Sequence, residues 1–150
     1  EDNLDIICDL FIKQYDFVTI EKKYNGLPAV YCNTAEINQA LVNILTNAVQ
    51  AIQDRGLKEG QIDLSTSTQT VEQNEYVVVS IRDNGIGMSS AVMDKIYDPF
   101  FTTRDVGSGR GLGLTEAYGI VQRHHGKIEV WSEVGKGSEF TVYLPVRKRP

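Results

Sequence analysis

The chain is poor in the residues that build metal and redox centres. It has two cysteines, Cys8 and Cys32, 24 positions apart, and two histidines, the neighbours His124 and His125. There is no CxxC pair and no His-rich segment, which argues against a zinc centre; the cysteines read as buried free thiols in a reducing compartment. No apolar run is long enough to cross a bilayer, and no stretch of the sequence reads as a signal peptide. There is also no internal repeat and no low-complexity tract. Basic stripes are missing too. The net charge is −5, and the one dense basic stretch, Arg147 to Pro150, reads as a solvated tail or a linker stub. Sequence-independent binding to nucleic acid needs clustered Lys and Arg, so it is disfavoured. Neither a nucleic-acid partner nor membrane contact is expected, and a cytoplasmic location is.

What remains is an ordinary globular composition, 41% hydrophobic and 23% charged over 150 residues, which fits one domain with a sizeable core. The chain opens on Glu1 rather than Met and enters an amphipathic pattern at once, as a domain of a longer protein would.

Leu4, Ile7, Cys8, Leu10 and Phe11 have helical spacing. "FVTIEKKY" alternates, and Gly26 to Pro28 turn it into "AVYCN", so residues 17–33 predict a hairpin. Thr34 is the expected N-cap of a helix over 35–54, closed by "RGLKEG". "QIDLSTSTQTV" and "EYVVVSIRDN" predict two strands joined by "EQNE". A loop follows from Asp83 to about Gly111, with a helical piece near Ser90 to Tyr97. "LGLTEAYGIVQRH" predicts a helix ended by His125 and Gly126, then a last hairpin, "KIEVWSEV" and "EFTVYLPV" around "GKGS". This order predicts an α+β sandwich, with helices on one face of a mixed, mostly antiparallel sheet.

Three stretches carry chemistry. On the helix of residues 35–54, Ile37, Leu41, Ile44, Leu45, Ala48 and Ile52 form an apolar stripe. A second stripe holds Glu36, Gln39, Asn43, Asn47, Gln50 and Asp54. Asn is a mediocre helix former, and a solvated face ordinarily uses Lys and Glu. The amides make either a solvated face or a set of neutral oxygen ligands suited to Mg²⁺. "DNGIGM", Asp83 to Met88, is either a hairpin turn or a carboxylate at a strand end whose glycines admit a ligand. In the second case the carboxylate suits a donor edge such as adenine N6–H₂ and repels guanine O6. "GSGRGLGLTEAYGIV" fits neither the dinucleotide fingerprint nor the P-loop. It is either a linker or a glycine run leading a helix N-terminus to a polyphosphate.

Taken in order, these stretches resemble the ATP-binding catalytic domain of sensor histidine kinases, within the gyrase/Hsp90/MutL-type superfamily. "EINQALVNILTNAVQAI" is similar to the N box and "DNGIGM" to the first glycine box. "YDPFFTTR" is similar to the F box, "GRGLGL" to the second glycine box, and "GKGSEFTVYLP" to the closing hairpin. "NAVQA" with "DPFFTTR" resembles the nitrogen-regulation type. The resemblance covers nearly the whole chain and implies a two-layer α/β sandwich of the Bergerat type with a flexible ATP lid.

It also implies roles. Asn47 would be the metal ligand, for Mg²⁺, and Asn43 would lie near the phosphates. Asp83 would accept from adenine N6, with Gly85 and Gly87 keeping the pocket edge thin. Phe100 and Phe101 would anchor the lid, and Arg104 and the loop to Gly109 would cover the triphosphate. Arg110 is either a phosphate contact or solvent-facing, and Gly111, Leu112 and Gly113 would hold the phosphates. Asn43 and Arg104 are the candidate catalytic residues, with ATP and Mg²⁺ as cofactors.

Gyrase-type relatives carry Glu where this chain has Asn43, and an amide cannot act as a general base. That fits a nucleophile that is a histidine rather than water. Neither His124 nor His125 reads as that acceptor, because a histidine at a helix C-terminus is accounted for by its dipole. The expected acceptor is a dimerisation and phosphoacceptor domain before Glu1, in a homodimeric parent, with a response regulator receiver domain downstream. One departure stands out: Gln50 and Ala51 occupy positions where many histidine kinases have Lys and Tyr. An ATP-sensing or scaffolding module without transfer, and a gyrase-like ATPase, are the competing readings.

Overall fold

The computed structural model describes residues 2–26, 33–96 and 113–146. The first helix, α1 (Asp2–Gln14), buries Leu4, Ile7, Cys8 and Phe11, the face its spacing dictates. Cys8 is a free, buried thiol; Cys32 lies outside the described residues. Strand β1 (Val18–Lys23) follows, burying Val18 and Ile20. The expected hairpin over 17–33 lies partly outside the described residues. Within them the partner of β1 is β2 (Gly60–Val71), in parallel, with Val18 opposite Gly60. The return segment of that hairpin falls at residues 27–32, outside the described residues.

Helix α2 (Thr34–Arg55) runs 22 residues, about 33 Å at 1.5 Å per residue. Its N-cap is Asn33 rather than Thr34: Asn33 Oδ1 accepts the Glu36 N–H at 3.2 Å, satisfying a first-turn donor. Gly56 ends it in the left-handed conformation, φ +77°, donating its N–H to the Gln53 carbonyl. Ala40, Leu41, Ile44, Leu45, Ala48, Val49 and Ile52 form its buried face.

Strands β2 and β3 (Asn74–Asp83) pair antiparallel through a tight turn at Glu72 and Gln73, with φ +50° and +69°. Left-handed residues at both positions match the twist of a hairpin. The short helix α3 is Ser90–Met93, and α4 is Gly113–Arg123. Its end is a left-handed His125 with the Gly126 N–H donated back to the Val121 carbonyl at 2.9 Å. Strands β4 (Lys127–Glu133) and β5 (Gly137–Pro145) close the chain as an antiparallel hairpin.

The five strands lie in the order β1-β2-β3-β5-β4, parallel only between β1 and β2. Ile62, Leu64, Val77, Val79, Ile81, Phe140, Val142 and Leu144 form one core with the buried faces of α1, α2 and α4. The other face is polar and aromatic: the Arg82 guanidinium sits 5.0 Å from the Trp131 ring, and Lys127 Nζ 4.7 Å from the Tyr143 ring. The fold is thus the expected α+β sandwich, helices on one face of a mixed sheet.

Candidate functional site

Asp83 is the last residue of β3 and shares the helix-facing side with Val77, Val79 and Ile81. It is 4% exposed, a carboxylate where the alternation calls for an apolar side chain. The Gly85 N–H donates to its Oδ1 at 2.8 Å, and the Ser138 backbone also hydrogen-bonds it. Burial pushes its carboxyl up to about 6, against the lowering effect of those two hydrogen bonds.

The loop after Asp83 is no hairpin turn, because β3 lies between β2 and β5 and the chain leaves the sheet. It is clamped from two sides. On one, the Ile86 N–H donates to the Ala51 carbonyl at 2.9 Å, and Arg55 Nη1 to the Asn84 carbonyl at 2.8 Å. Asn84 Oδ1 accepts the Gln61 N–H at 2.9 Å. On the other side, the Gly135 N–H donates to the Ile86 carbonyl at 2.8 Å, and the Met88 N–H to Ser132 Oγ at 2.7 Å. Both glycines are required by contact. A Cβ on Gly85 would lie 2.5 Å from the Ala51 carbonyl carbon; one on Gly87, at φ +74°, would collide with the Glu133 carbonyl oxygen.

Ala51 is one turn along α2 from Asn47 and two from Asn43, so the amide edge leads to the Asp83 loop. Asn43 and Asn47 are half-buried. Asn43 Oδ1 accepts from Gln39 Nε2 at 2.9 Å, while its Nδ2 is buried with no hydrogen-bond partner among the described residues. Such a donor costs about 1–3 kcal/mol, a cost with no structural return. Gln50, read from the sequence with the polar stripe, is buried at 8% exposure. That stripe is therefore not a uniformly solvated face.

Helix α4 packs against α2. Its C-terminal end meets the start of α2, where Arg123 Nη2 lies 3.2 Å from Glu36 Oε1 and His124 Nε2 accepts the Asn33 N–H at 3.1 Å. Packed along α2 from that anchor, α4 runs antiparallel to it. From Arg123 back to Gly113 is about 15 Å, and from Glu36 to Asn47 about 16 Å, at helical rise. Gly113 is the first residue of α4, the end remote from that anchor, and a helix N-terminus carries free N–H groups and the positive dipole end. His124 and His125 sit at the far end of α4.

Asp83, Gly85 and Gly87 are thus held in one loop against Ala51, on the helix that also carries Asn43 and Asn47. Phe100, Phe101, Arg104, Gly109, Arg110, Gly111 and Leu112 lie outside the described residues. The sequence reading missed the residues that fix this edge: the Ala51 carbonyl, the hydroxyls of Ser132 and Ser138 (2.7 Å apart), and Gln39 as the partner of Asn43. Only Gln39 left a signal, an amide four residues before an amide on one helix face.

A buried carboxylate, a loop thinned by glycine and one unpaired amide donor are features that a nucleotide site can use. The family described as histidine kinase-, DNA gyrase B- and HSP90-like ATPase matches residues 32–148, and the chain belongs to that family. It is similar to sporulation kinase E of Bacillus subtilis (strain 168), 36% identical over 124 residues, covering 83% of this chain and 16% of that protein. It is 41% identical over 122 residues to the signal transduction histidine-protein kinase AtoS of Escherichia coli (strain K12), 81% of this chain and 19% of AtoS. To the sensory histidine kinase/phosphatase NtrB of Klebsiella oxytoca it is 36% identical over 140 residues, 89% and 38%. The chain spans well under half the length of these curated relatives. Among solved structures, the catalytic domain of histidine kinase ThkA superposes with a TM-score of 0.79 at 25% identity, over 97% of this chain and 91% of that one. Full-length ShkA in complex with AMPPNP gives a TM-score of 0.80 at 22% identity, over 99% and 30%, a likeness of fold.

Proposed function

We propose that this chain is the catalytic domain of a sensor histidine kinase: it binds ATP with Mg²⁺ and directs the γ-phosphoryl group to a histidine on a separate dimerisation and phosphoacceptor domain. Family membership supports ATP binding. The residues present fit the nucleotide, since Asp83 is a buried acceptor, the loop around Gly85 and Gly87 leaves room that a Cβ would fill, and Asn43 Nδ2 awaits an acceptor.

Bound Mg²⁺-ATP supplies the phosphoryl group and the cation that offsets its charge. Asp83 selects adenine through the exocyclic amino group. Asn47 offers a neutral oxygen to the cation. Asn43 and the α4 N-terminus at Gly113 meet the phosphates with N–H donors. Gly109, Arg110, Gly111, Leu112 and the catalytic candidate Arg104 complete the phosphate site, as the family resemblance implies.

The observation that carries the reading is Asn43. Its oxygen is engaged by Gln39, and an amide has no basic lone pair with which to take a proton from water. The edge therefore positions a phosphoryl group without activating a hydrolytic nucleophile. His124 and His125, at the remote end of α4, are not the acceptor. We place that acceptor in a domain preceding residue 1 of a homodimeric, cytoplasmically facing parent that feeds a response regulator receiver domain. The boxes "NAVQA" and "DPFFTTR", with the likeness to NtrB, favour a nitrogen-regulation-like subtype.

The test is transfer from labelled ATP to the parent's phosphoacceptor domain added in trans. A stable phosphohistidine on that domain, lost when its histidine is replaced, is the expected result. Nucleotide binding without transfer selects the sensing or scaffolding role, and steady phosphate release by this chain alone selects a gyrase-like ATPase.

A further inference from the structure

Gln39 and Asn43 are one helical turn apart on α2 and joined through their amides, Gln39 Nε2 donating to Asn43 Oδ1 at 2.9 Å. Gln39 is exposed, so the bond adds nothing to the core. In this pairing the Asn43 oxygen, not its nitrogen, is the end turned toward Gln39. A primary amide has an acceptor end and a donor end of nearly equal shape, exchanged by a half turn about its last torsion. With Oδ1 held by Gln39, the Nδ2 end faces away from it, is buried, and has no acceptor among the described residues. Buried donors are otherwise paired, so this one marks where an acceptor belongs.

We infer that Gln39 is a positioning residue that sets the polarity of the Asn43 amide, so that Asn43 presents N–H donors rather than an oxygen to the triphosphate. The inference rests on the nucleotide reading above and deepens it. It divides the two asparagines by chemistry: Asn43 meets an anion, and Asn47 is left as the amide oxygen for the cation.

A donor at position 39 keeps this polarity and an acceptor reverses it. Gln39→Arg has donors only and preserves the bond to Asn43 Oδ1. Gln39→Leu leaves the amide free to turn. Gln39→Glu accepts from Nδ2, turning Oδ1 toward the phosphates, oxygen against oxygen.

The experiment is calorimetric titration of the 150-residue chain with Mg²⁺-ATP and with adenosine, for the unaltered protein and the three variants. All four are then repeated in an Asn43→Ala background. The expected order of ATP affinity is unaltered, equalled by Arg, then Leu, then Glu, with Glu weakened about tenfold or more. Adenosine, lacking phosphates, binds all four alike. In the Asn43→Ala background the spread collapses to about twofold, because the effect runs through Asn43. The inference is overturned if the order survives in that background, where a charge at position 39 would be acting directly. It is equally overturned if the unaltered chain binds ATP and Gln39→Glu binds it as well, which leaves the nucleotide reading intact. Absence of ATP binding by the unaltered chain overturns both.

Discussion

The Gly85 N–H donates to Asp83 Oδ1 at 2.8 Å, yet Asp83, 4% exposed, has its carboxyl pushed up to about 6 by burial. Desolvation outweighs the hydrogen bonds, so the group disfavours its own ionised form in the fold. The native state therefore holds this proton over a pH range where the unfolded chain has released it. The stability it contributes is present below about pH 4 and is lost as pH rises through about 6, a change of about 3 kcal/mol. Asp83→Asn, uncharged throughout, should flatten that slope and raise the urea midpoint at pH 8. It should also weaken ATP binding, because an amide there need not present an acceptor to adenine. Urea melts at pH 4 and pH 8, with titrations of both proteins, check the two halves.

The same carboxylate, as the proposed adenine acceptor, should make nucleotide binding pH-dependent. An acceptor for adenine N6–H₂ is needed ionised, so ATP affinity should fall as pH drops below about 6 and level off above it. In Asp83→Asn the dependence over that window should vanish. Dissociation constants between pH 5 and pH 8 measure it.

Gly85 and Gly87 are predicted to be intolerant for different reasons. Gly85→Ala drives a methyl to 2.5 Å from the Ala51 carbonyl carbon, and relief requires lifting the loop off α2. About 1–3 kcal/mol of destabilisation is expected. Gly87→Ala adds left-handed strain of about 1–2 kcal/mol to its collision with the Glu133 carbonyl and should be the worse of the two. Denaturant midpoints rank them.

Asn43→Leu should separate stability from function. It removes a buried, unpaired Nδ2 from a helix and substitutes a better helix former. A gain of about 1 kcal/mol is expected, with loss of ATP binding. Destabilisation instead would show that the Asn43 amide is structural.

Much of this site is legible in the sequence because it is built from local signals. The apolar spacing of α2, the strand pattern ending at Asp83 and the glycines after it each lie within a few residues. Two features needed information the local pattern lacks. The parallel pairing of β1 with β2 joins Val18 to Gly60 across α2, which turn residues cannot encode. The β2–β3 turn at Glu72 and Gln73 carries no Gly or Asn, so its left-handed geometry is imposed by the pairing strands. The N-cap was readable and was misplaced by one residue. Asn33 stands three before Glu36, the spacing by which a cap side chain reaches an N3 amide. Gln50 breaks the polar stripe because burial on α2 depends on what packs above it, not on helical spacing alone.

Asn47→Ala should leave ATP binding in EDTA unchanged and abolish its strengthening by Mg²⁺, since the substitution removes only the proposed ligand oxygen. Paired titrations with and without the cation decide it.

The central claim is tested most directly by calorimetric titration of the unaltered chain with ATP and GTP, each with and without Mg²⁺. ATP is expected to bind, Mg²⁺ to tighten it, and GTP, which offers O6 where the proposed Asp83 acceptor needs a donor, not to bind. Equal binding of the two nucleotides, or none of ATP up to millimolar concentration, would contradict it.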